Sequence, residues 1–358
     1  MRVDGVFVRG HGVHLPPLLP VRDALARGDC TAELVARTGI RSVAVSSSES
    51  AAEMAVEAAR IALRRAGSGP DEVDLILHAD TYHQGQDLWP AASYVQRETV
   101  RNGCLAVEIR QMSNGGMAAV ELAVAHLLVR DGKDALLTTA DRFCLPGIDR
   151  WRTDPGTPYG DGGTSLVLSR RGGYARLLSI ATHADSDLEP LHRGDEPFGL
   201  APFQHRMPVD FGAAKQAFLR DHGISFGVSR SVHGQQVVIE RALHDADMDL
   251  PDAQWVVLPH FGYRRLHANY LRQYRIDEAR TAWDWSRTIG HLGAGDQFAG
   301  LNFLLDSGRA RAGDRCVLIG VGAGYSWGCA VIEICARPPW LDAPAAAAAE
   351  LSRPDGTR

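Results

Sequence analysis

The sequence predicts an α/β fold built from two similar halves. Apolar, strand-like runs alternate with amphipathic, helix-like segments, as in proteins whose helices cover a mainly parallel sheet. The order of these segments in the first half recurs in the second half, which favours a duplicated unit. A length of 358 residues suits one large α/β unit or two coupled ones.

The first half begins with a helix predicted over 48–66, where Ser50 and Glu53 have capping-box spacing. The segment 116–129 is apolar almost all round, which predicts a helix inside the core. Strands are predicted at 73–80, 104–109, 134–141 and 164–169.

The second half repeats this order. Helices are predicted at 235–248 and 299–308, and strands at 255–261, 314–322 and 329–334. Residues 183–212 are rich in proline, glycine and aspartate and predict an inserted loop. We therefore divide the chain into halves at 1–170 and 171–336, followed by a disordered tail at 337–358.

Composition excludes several classes of function. The 38 basic and 43 acidic residues give a net charge of −5, which disfavours binding to nucleic acid. No run of 18 apolar residues and no signal-peptide pattern is present, so we expect a cytoplasmic protein that does not enter a membrane. Six cysteines without a CxxC pair indicate reduced thiols and argue against a zinc site, and we expect no metal and no cofactor.

Two turns could carry chemistry. In Arg110–Gly116, Ser113 lies between a strand and the apolar helix, where a nucleophile would meet the positive end of that helix; an N-cap serine is the alternative. In Gly290–Asp296, at the equivalent turn of the second half, His291 could act as base and Asp296 as its orienting carboxylate. A structural histidine with a capping aspartate explains that pattern equally well.

Two further stretches lie at strand ends. His260 follows a predicted strand, at the end where α/β sites concentrate, and a structural buried histidine is the alternative. Gly320–Gly328 lacks the strand-then-helix context of a dinucleotide fingerprint. It predicts a tight β-turn whose backbone N–H groups could serve an oxyanion hole.

Taken together, these stretches resemble β-ketoacyl-acyl-carrier-protein (ACP) synthase III of the thiolase superfamily. The resemblance covers residues 1–336. Its anchors are Arg37–Ile40, Trp89–Ala92, the Ser113 turn, Tyr159–Gly163, His260 and Gly320–Gly328. It implies duplicated βαβαβαββ halves that form a five-layered α-β-α-β-α sandwich, and it implies a homodimer.

The departures from the family pattern are informative. The condensing members carry a Cys-His-Asn triad, and the corresponding positions here are Ser113, His260 and His291, with Asp296 five residues after His291. This pattern resembles the acyltransferase-like branch found in antibiotic pathways, including the daunorubicin-type starter enzyme with its serine nucleophile. A serine nucleophile needs a base, whereas a thiol needs little help. Serine at position 113, histidine at 291 and aspartate at 296 are therefore chemically consistent with one another.

The resemblance also implies roles for individual residues. Ser113 would form an acyl-enzyme with His291 as base and Asp296 fixing its tautomer. The N–H groups of Ser113 and Gly324 would hold the oxyanion, and His260 would support the acyl carbonyl or the acceptor.

Substrate contacts follow from the same resemblance. Arg37 matches a residue that faces coenzyme A (CoA) or the carrier, but Glu33 stands where the family has an adenine-stacking tryptophan, which leans toward an ACP donor. Trp89 matches an aromatic residue that crosses the dimer into the partner's acyl pocket. His192 and His205 could reach the entrance, or could be solvated loop histidines.

These observations predict an acyltransferase of polyketide or antibiotic biosynthesis. It would move an acyl group from an ACP or CoA thioester to a hydroxyl, amine or carrier-protein acceptor, without decarboxylative condensation. The alternatives are a starter-unit synthase that condenses acyl-CoA with malonyl-ACP, and a catalytically silent partner subunit.

Overall fold

The computed structural model describes residues 1–130, 132–201 and 204–342, which contain eleven strands and twelve helices. The strands are β1 (Phe7–His14), β2 (Leu18–Pro20), β3 (Ser42–Ala44), β4 (Val73–Ala79), β5 (Leu105–Ile109), β6 (Asp134–Asp141), β7 (Gly162–Ser169), β8 (Ala175–Ala184), β9 (Trp255–Val257), β10 (Arg315–Gly322) and β11 (Ser326–Ile334). The helices are α1 (Val21–Arg27), α2 (Ala32–Thr38), α3 (Ala51–Ala66), α4 (Ala91–Glu98), α5 (Gly115–Arg130), α6 (Pro190–Arg193), α7 (Phe211–His222), α8 (Ile224–Asp245), α9 (Tyr263–Leu266), α10 (Arg272–Tyr274), α11 (Trp283–Ser286) and α12 (Asp296–Asp306).

Nine strands form one mixed sheet in the order β5-β4-β6-β7-β1-β8-β11-β10-β9. Each half of the chain supplies one side of this sheet. The two sides join only where β1 pairs with β8, through Phe7 with Arg176 and Val8 with Ala175. In its described part, the second half supplies one strand fewer to this sheet than the first half does. Short helices α9 to α11 occupy the chain between β9 and α12.

The layers confirm the predicted sandwich. Helix α3 packs on β1, β6 and β7, and α8 packs on β8 and β11. Helices α5 and α12 each contact strands from both halves of the sheet, so they form the middle layer. One apolar core surrounds these two central helices, and two more lie beneath α3 and α8.

Several predicted elements are confirmed and some boundaries move. Helix α3 begins after Ser50, whose side chain and that of Glu53 form the predicted capping box. Strand β9 ends at Val257, shorter than predicted; Pro259 follows, and proline cannot continue a strand ladder. Residues 183–212 are less loop-like than predicted, because β8 runs to Ala184 and α6 and the start of α7 lie in this segment.

Helix α5 is buried on only part of its surface, although its sequence predicts burial all round. Leu122 is 52% exposed and Val129 is 84% exposed. By length and composition alone the segment Met112–Arg130 could cross a membrane, but in this fold half of it is buried between the two sides of the sheet.

The segment predicted as a tail begins with a folded turn. Trp340 is buried, its indole nitrogen donates to Asp306 at 3.3 Å, and its ring packs edge-on against His11. The chain is therefore held to the core up to this tryptophan, and the rest of the predicted tail, 343–358, lies outside the described residues.

Candidate active site

The two turns predicted to carry chemistry meet at the centre of the molecule. The first turn of α5 lies directly on the 3₁₀ turn Gly293–Gly295 that precedes α12. A Cβ on Gly116 would lie 2.5 Å from the Ala294 carbonyl oxygen, so only glycine permits this approach. The prediction that the two turns face each other is confirmed.

Ser113, His291 and Asp296 form a hydrogen-bonded chain. The Ser113 hydroxyl lies 2.8 Å from His291 Nε2, and His291 Nδ1 lies 2.5 Å from an Asp296 carboxylate oxygen. This is the order of contacts in a nucleophile–base–carboxylate triad.

The Ser113 turn is held by its neighbours. Met112, immediately before it, has φ of 49°, a left-handed conformation that costs about 1–2 kcal/mol for a residue with a side chain. The β10–β11 hairpin packs against the turn so closely that a Cβ on Gly322 would lie 2.3 Å from the Gln111 carbonyl oxygen. Ser113 thereby sits at the positive end of α5, which favours negative charge.

The backbone of His291 is fixed by the Tyr159–Gly163 motif. His291 N–H donates to Pro158 and the Gly160 N–H donates to His291, both at 2.9 Å. Asp161 is fully buried and accepts hydrogen bonds from Arg150 and from the backbone N–H groups of Ser46 and Phe143. The motif is therefore a structural support for the base.

Asp296 is a buried carboxylate with four hydrogen-bonding or ionic contacts. It accepts from the backbone N–H groups of Leu292 at 2.8 Å and His260 at 2.7 Å, and it contacts the rings of both His291 and His260. Burial opposes its ionisation, but the charges of the two histidines and these hydrogen bonds hold the pKa of Asp296 below its usual value. The ionised carboxylate can thus fix the His291 tautomer.

His260 lies against the Asp296 carboxylate. Its Nδ1 lies 3.2 Å from the Gly290 carbonyl oxygen and 3.2 Å from Asp296, while its Nε2 is buried without a hydrogen-bond partner among the described residues. The ring is not among the described side chains that line the cavity beside Ser113. Its predicted contact with the acyl carbonyl or the acceptor stays a prediction.

The predicted oxyanion turn lies on the cavity. Ala323 and Tyr325 line it, and Gly324 between them has φ of 125°, which suits glycine. The Gly324 N–H has no acceptor within the described ranges. It is therefore free to donate to a ligand.

A cavity of 440 Å³ extends from Ser113 and His291 toward α6, α7 and α8. Eight aromatic side chains lie in its walls: Tyr82, Phe143, Tyr159, Phe211, Phe261, Tyr270, Tyr325 and Trp327. Asp154 and Arg265 add an ion pair to the wall, with two contacts at 2.6 and 2.8 Å. Burial opposes ionisation of Asp154, but Arg265 keeps its pKa well below the usual range.

The predicted substrate contacts divide into three groups. His192 lines the cavity, whereas His205 is exposed elsewhere in the inserted segment. Arg37 lines an adjoining groove of 290 Å³ and donates to the Pro155 carbonyl oxygen at 2.7 Å. Trp89 does not line this chain's cavity among the described residues; it packs on Tyr94, with ring centres 5.4 Å apart.

Sequence reasoning missed Asp154, Arg265 and Lys215, which lie where the cavity and the Arg37 groove meet. Asp154 and Arg265 are 111 positions apart, and no local pattern links them. Lys215 lies on α7, a helix that was not predicted from the sequence.

Comparisons with known proteins identify similar chains. The family model described as 3-oxoacyl-[acyl-carrier-protein] synthase III, C-terminal, matches residues 243–334. A β-ketoacyl-ACP synthase III of Rhizorhabdus wittichii is 29% identical over 337 residues, covering 91% of this chain and 98% of that protein.

Solved structures give the same picture. The acyltransferase ChlB3 is 33% identical, with a TM-score of 0.89, and the match covers 94% of this chain and 99% of that one. The 3-oxoacyl-ACP synthase III of Aquifex aeolicus is 22% identical, with a TM-score of 0.74 over 92% of this chain and 99% of that one, which is a likeness of fold.

The loop beside Ser113 depends on one buried carboxyl group. Asp141 accepts hydrogen bonds from the N–H groups of Thr81 at 2.9 Å and Tyr82 at 2.8 Å, and both residues line the cavity. Burial raises the pKa of Asp141 to about 7, so the folded protein holds a proton that the unfolded chain releases near pH 4.

We therefore expect the Asp141 contribution to folding stability to fall as pH rises between about 4 and 7. The native state binds more protons in that window, so the free energy of unfolding should drop by roughly 2 kcal/mol from pH 5 to pH 7. Asp141→Asn, neutral in both states, should remove that part of the slope. Urea unfolding of both proteins at the two pH values measures it, and parallel slopes would contradict the assignment.

Proposed function

Because the chain belongs to the β-ketoacyl-ACP synthase III family of the thiolase superfamily, whose members transfer or condense acyl groups, we propose that it is a serine-dependent acyltransferase. The observation that carries the proposal is the contact chain Ser113–His291–Asp296, at 2.8 and 2.5 Å, opening on a cavity.

In the first step, the Ser113 hydroxyl oxygen attacks the carbonyl carbon of an acyl thioester while His291 Nε2 takes the hydroxyl proton. The carbonyl oxygen becomes an oxyanion, held by the N–H groups of Ser113 and Gly324 and by the positive end of α5. When the tetrahedral intermediate collapses, the carbon–sulfur bond breaks, and the departing thiolate takes the proton from His291. The product is an ester on Ser113.

In the second step, an acceptor hydroxyl, amine or carrier thiol attacks that ester, and His291 again takes the proton. Collapse returns the proton to Ser113 and releases the acylated acceptor. Asp296 stays ionised throughout and stabilises the imidazolium that forms twice per cycle. No cofactor is needed for either step.

One observation disfavours decarboxylative condensation. The asparagine that condensing relatives use is His291 here, and His291 already bonds both Ser113 and Asp296. The histidine–asparagine pair of donors that would hold a thioester enolate is therefore incomplete.

We propose an ACP or CoA thioester as donor and a role in polyketide or antibiotic biosynthesis in the cytoplasm. The groove of Arg37, Arg264, Arg265 and Lys215 adjoins the Ser113 cavity and is rich in positive charge, which suits a phosphorylated carrier arm. Likeness to the acyltransferase ChlB3 supports plain acyl transfer.

We also propose a homodimer formed along β5. This strand pairs only with β4, so its outer edge is open, and Leu105 and Val107 are 59% and 37% exposed. Such an edge readily pairs with a second copy of itself. Trp89 lies next to α4, whose first N–H bonds Glu108 of β5, so a second copy at this edge would receive the tryptophan.

The acyl-enzyme can be detected directly. Incubation with a panel of acyl-pantetheine thioesters should add one acyl mass to the intact chain, on Ser113, without release of carbon dioxide from malonyl-ACP. Ser113→Ala should abolish the adduct, and Asp296→Asn should slow its formation by roughly 10⁴-fold, because His291 loses its tautomer control. An adduct that persists in Ser113→Ala would contradict the acyl-Ser113 mechanism. Absence of an adduct in the unaltered protein would favour a catalytically silent subunit.

His260 should behave as a positioning residue for Asp296. Replacing it with leucine removes the ring contact with the carboxylate, and we expect about a 10-fold lower kcat with unchanged KM. His260→Asn, which keeps an N–H donor, should recover most of the rate. A loss as large as that of His291→Ala would instead mean that His260 touches the reacting atoms.

The dimer is tested by changing the β5 edge. The double variant Leu105→Glu/Val107→Glu places charges on the open edge and should halve the mass measured by light scattering, from about twice 38.8 kDa to 38.8 kDa. Leu18→Glu, at an exposed leucine of the small β2–β3 sheet, is the matched control and should leave the mass unchanged. Equal masses for all three proteins would refute this interface.

A further inference from the structure

Several hydrogen-bonding side chains around the cavity are already engaged by protein partners. Arg265 bonds Asp154 and the Thr157 hydroxyl, Gln235 donates to the Asn269 carbonyl at 3.1 Å, and Gln273 donates to Tyr274. Lys215 lies at the solvent-exposed junction with the Arg37 groove. These groups account for the charge of the wall and the entrance.

His192 differs from these groups. Its Nδ1 is buried without a partner, and its Nε2 makes no hydrogen bond to any residue that the structure describes. The ring is clamped edge-on between Phe211 and Tyr325, with ring centres 4.6 and 5.3 Å away. Since Nδ1 is shielded, Nε2 is the nitrogen available to a molecule in the cavity.

The charge state of this ring also suits recognition of a neutral group. Burial lowers the pKa of His192 to about 4, against a smaller opposing effect of Asp154, so the imidazole is neutral near pH 7. A neutral imidazole offers one donor and one acceptor. A hydroxyl group can complement either nitrogen, whichever tautomer is present, whereas a carbonyl oxygen complements only one.

His260 provides a contrast within the same protein. Its Nε2 is also buried without a partner, but a Cβ built on Gly300 of α12 would lie 3.9 Å away and the ring does not line the cavity. Of these two histidines, only His192 lines the cavity, where a ligand can reach its Nε2. A hydroxyl bound there would form a hydrogen bond to Nε2 that no described protein group makes.

We propose that His192 selects acyl groups that carry a hydroxyl, by hydrogen-bonding that hydroxyl inside the Ser113 cavity. This inference rests on the proposed acyl transfer through Ser113 and adds a substrate class to it. Aromatic side chains in the cavity wall would accept the body of the acyl group. The fixed polar contact at His192 would distinguish acyl groups that carry a hydroxyl from those that do not.

The experiment measures acylation rates of Ser113 by intact-protein mass with matched pantetheine thioesters. Hexanoyl is compared with its 3- and 5-hydroxy forms, and benzoyl with its three monohydroxy isomers, so that the hydroxyl stands at several distances from the thioester carbon. At least one hydroxylated thioester should acylate the unaltered protein about 10-fold or more faster than its parent.

Three variants locate that preference. His192→Leu should bring the ratio of hydroxylated to parent rates close to one, and His192→Gln should restore part of that ratio. His205→Leu, the same change at an exposed histidine of the same segment, is the matched control and should keep the full ratio.

Two results would overturn the inference. One is equal rates for every pair in the unaltered protein; the other is a preference that survives in full in His192→Leu, or in His192→Phe if the leucine variant does not fold. Either result would overturn the role of His192 and leave the proposed acylation of Ser113 unaffected. Absence of any adduct on Ser113 from any thioester would instead refute the proposed function itself.

Discussion

The contact between the first turn of α5 and the turn before α12 is the constraint on which the site depends. Gly116 lets the Ala294 carbonyl approach to a distance that any side chain would block. Because both helices lie in the middle layer, their N-termini bring together residues 178 positions apart. Ser113 comes just before one helix and Asp296 begins the other, so the nucleophile and the carboxylate inherit their relative positions from helix packing.

The Asp296 carboxylate is the electrostatic centre of this arrangement. A buried charge is costly unless hydrogen bonds and opposite charge surround it. Two backbone N–H groups and two imidazole rings surround Asp296, and the start of α12 adds a favourable dipole. Of the two histidines that share this carboxylate, His291 extends to Ser113 and His260 contacts the Gly290 carbonyl oxygen. His291 can therefore act as the base, while His260 supports Asp296.

The cavity shows how the inserted region shapes the site. Helices α6 and α7 bring His192, Phe211 and Lys215 against the wall built by the two halves. The Asp154–Arg265 pair neutralises itself there, so the charge available to ligands is concentrated where the Arg37 groove opens. The interior is left aromatic and nearly neutral, which suits an acyl group better than a charged one.

The sequence by itself determined the α/β class, the duplication, and the three members of the contact chain. Periodicity marks the helices and small-residue turns mark the places where backbones approach closely, and the resemblance to the synthase III family selects Ser113, His291 and Asp296 among the residues of those turns. Only the tertiary structure decided that His260 shares the Asp296 carboxylate, that one face of α5 is exposed, and that Asp154 pairs with Arg265. Those features depend on contacts between residues far apart in the chain, and no local pattern records which of several possible partners a side chain meets.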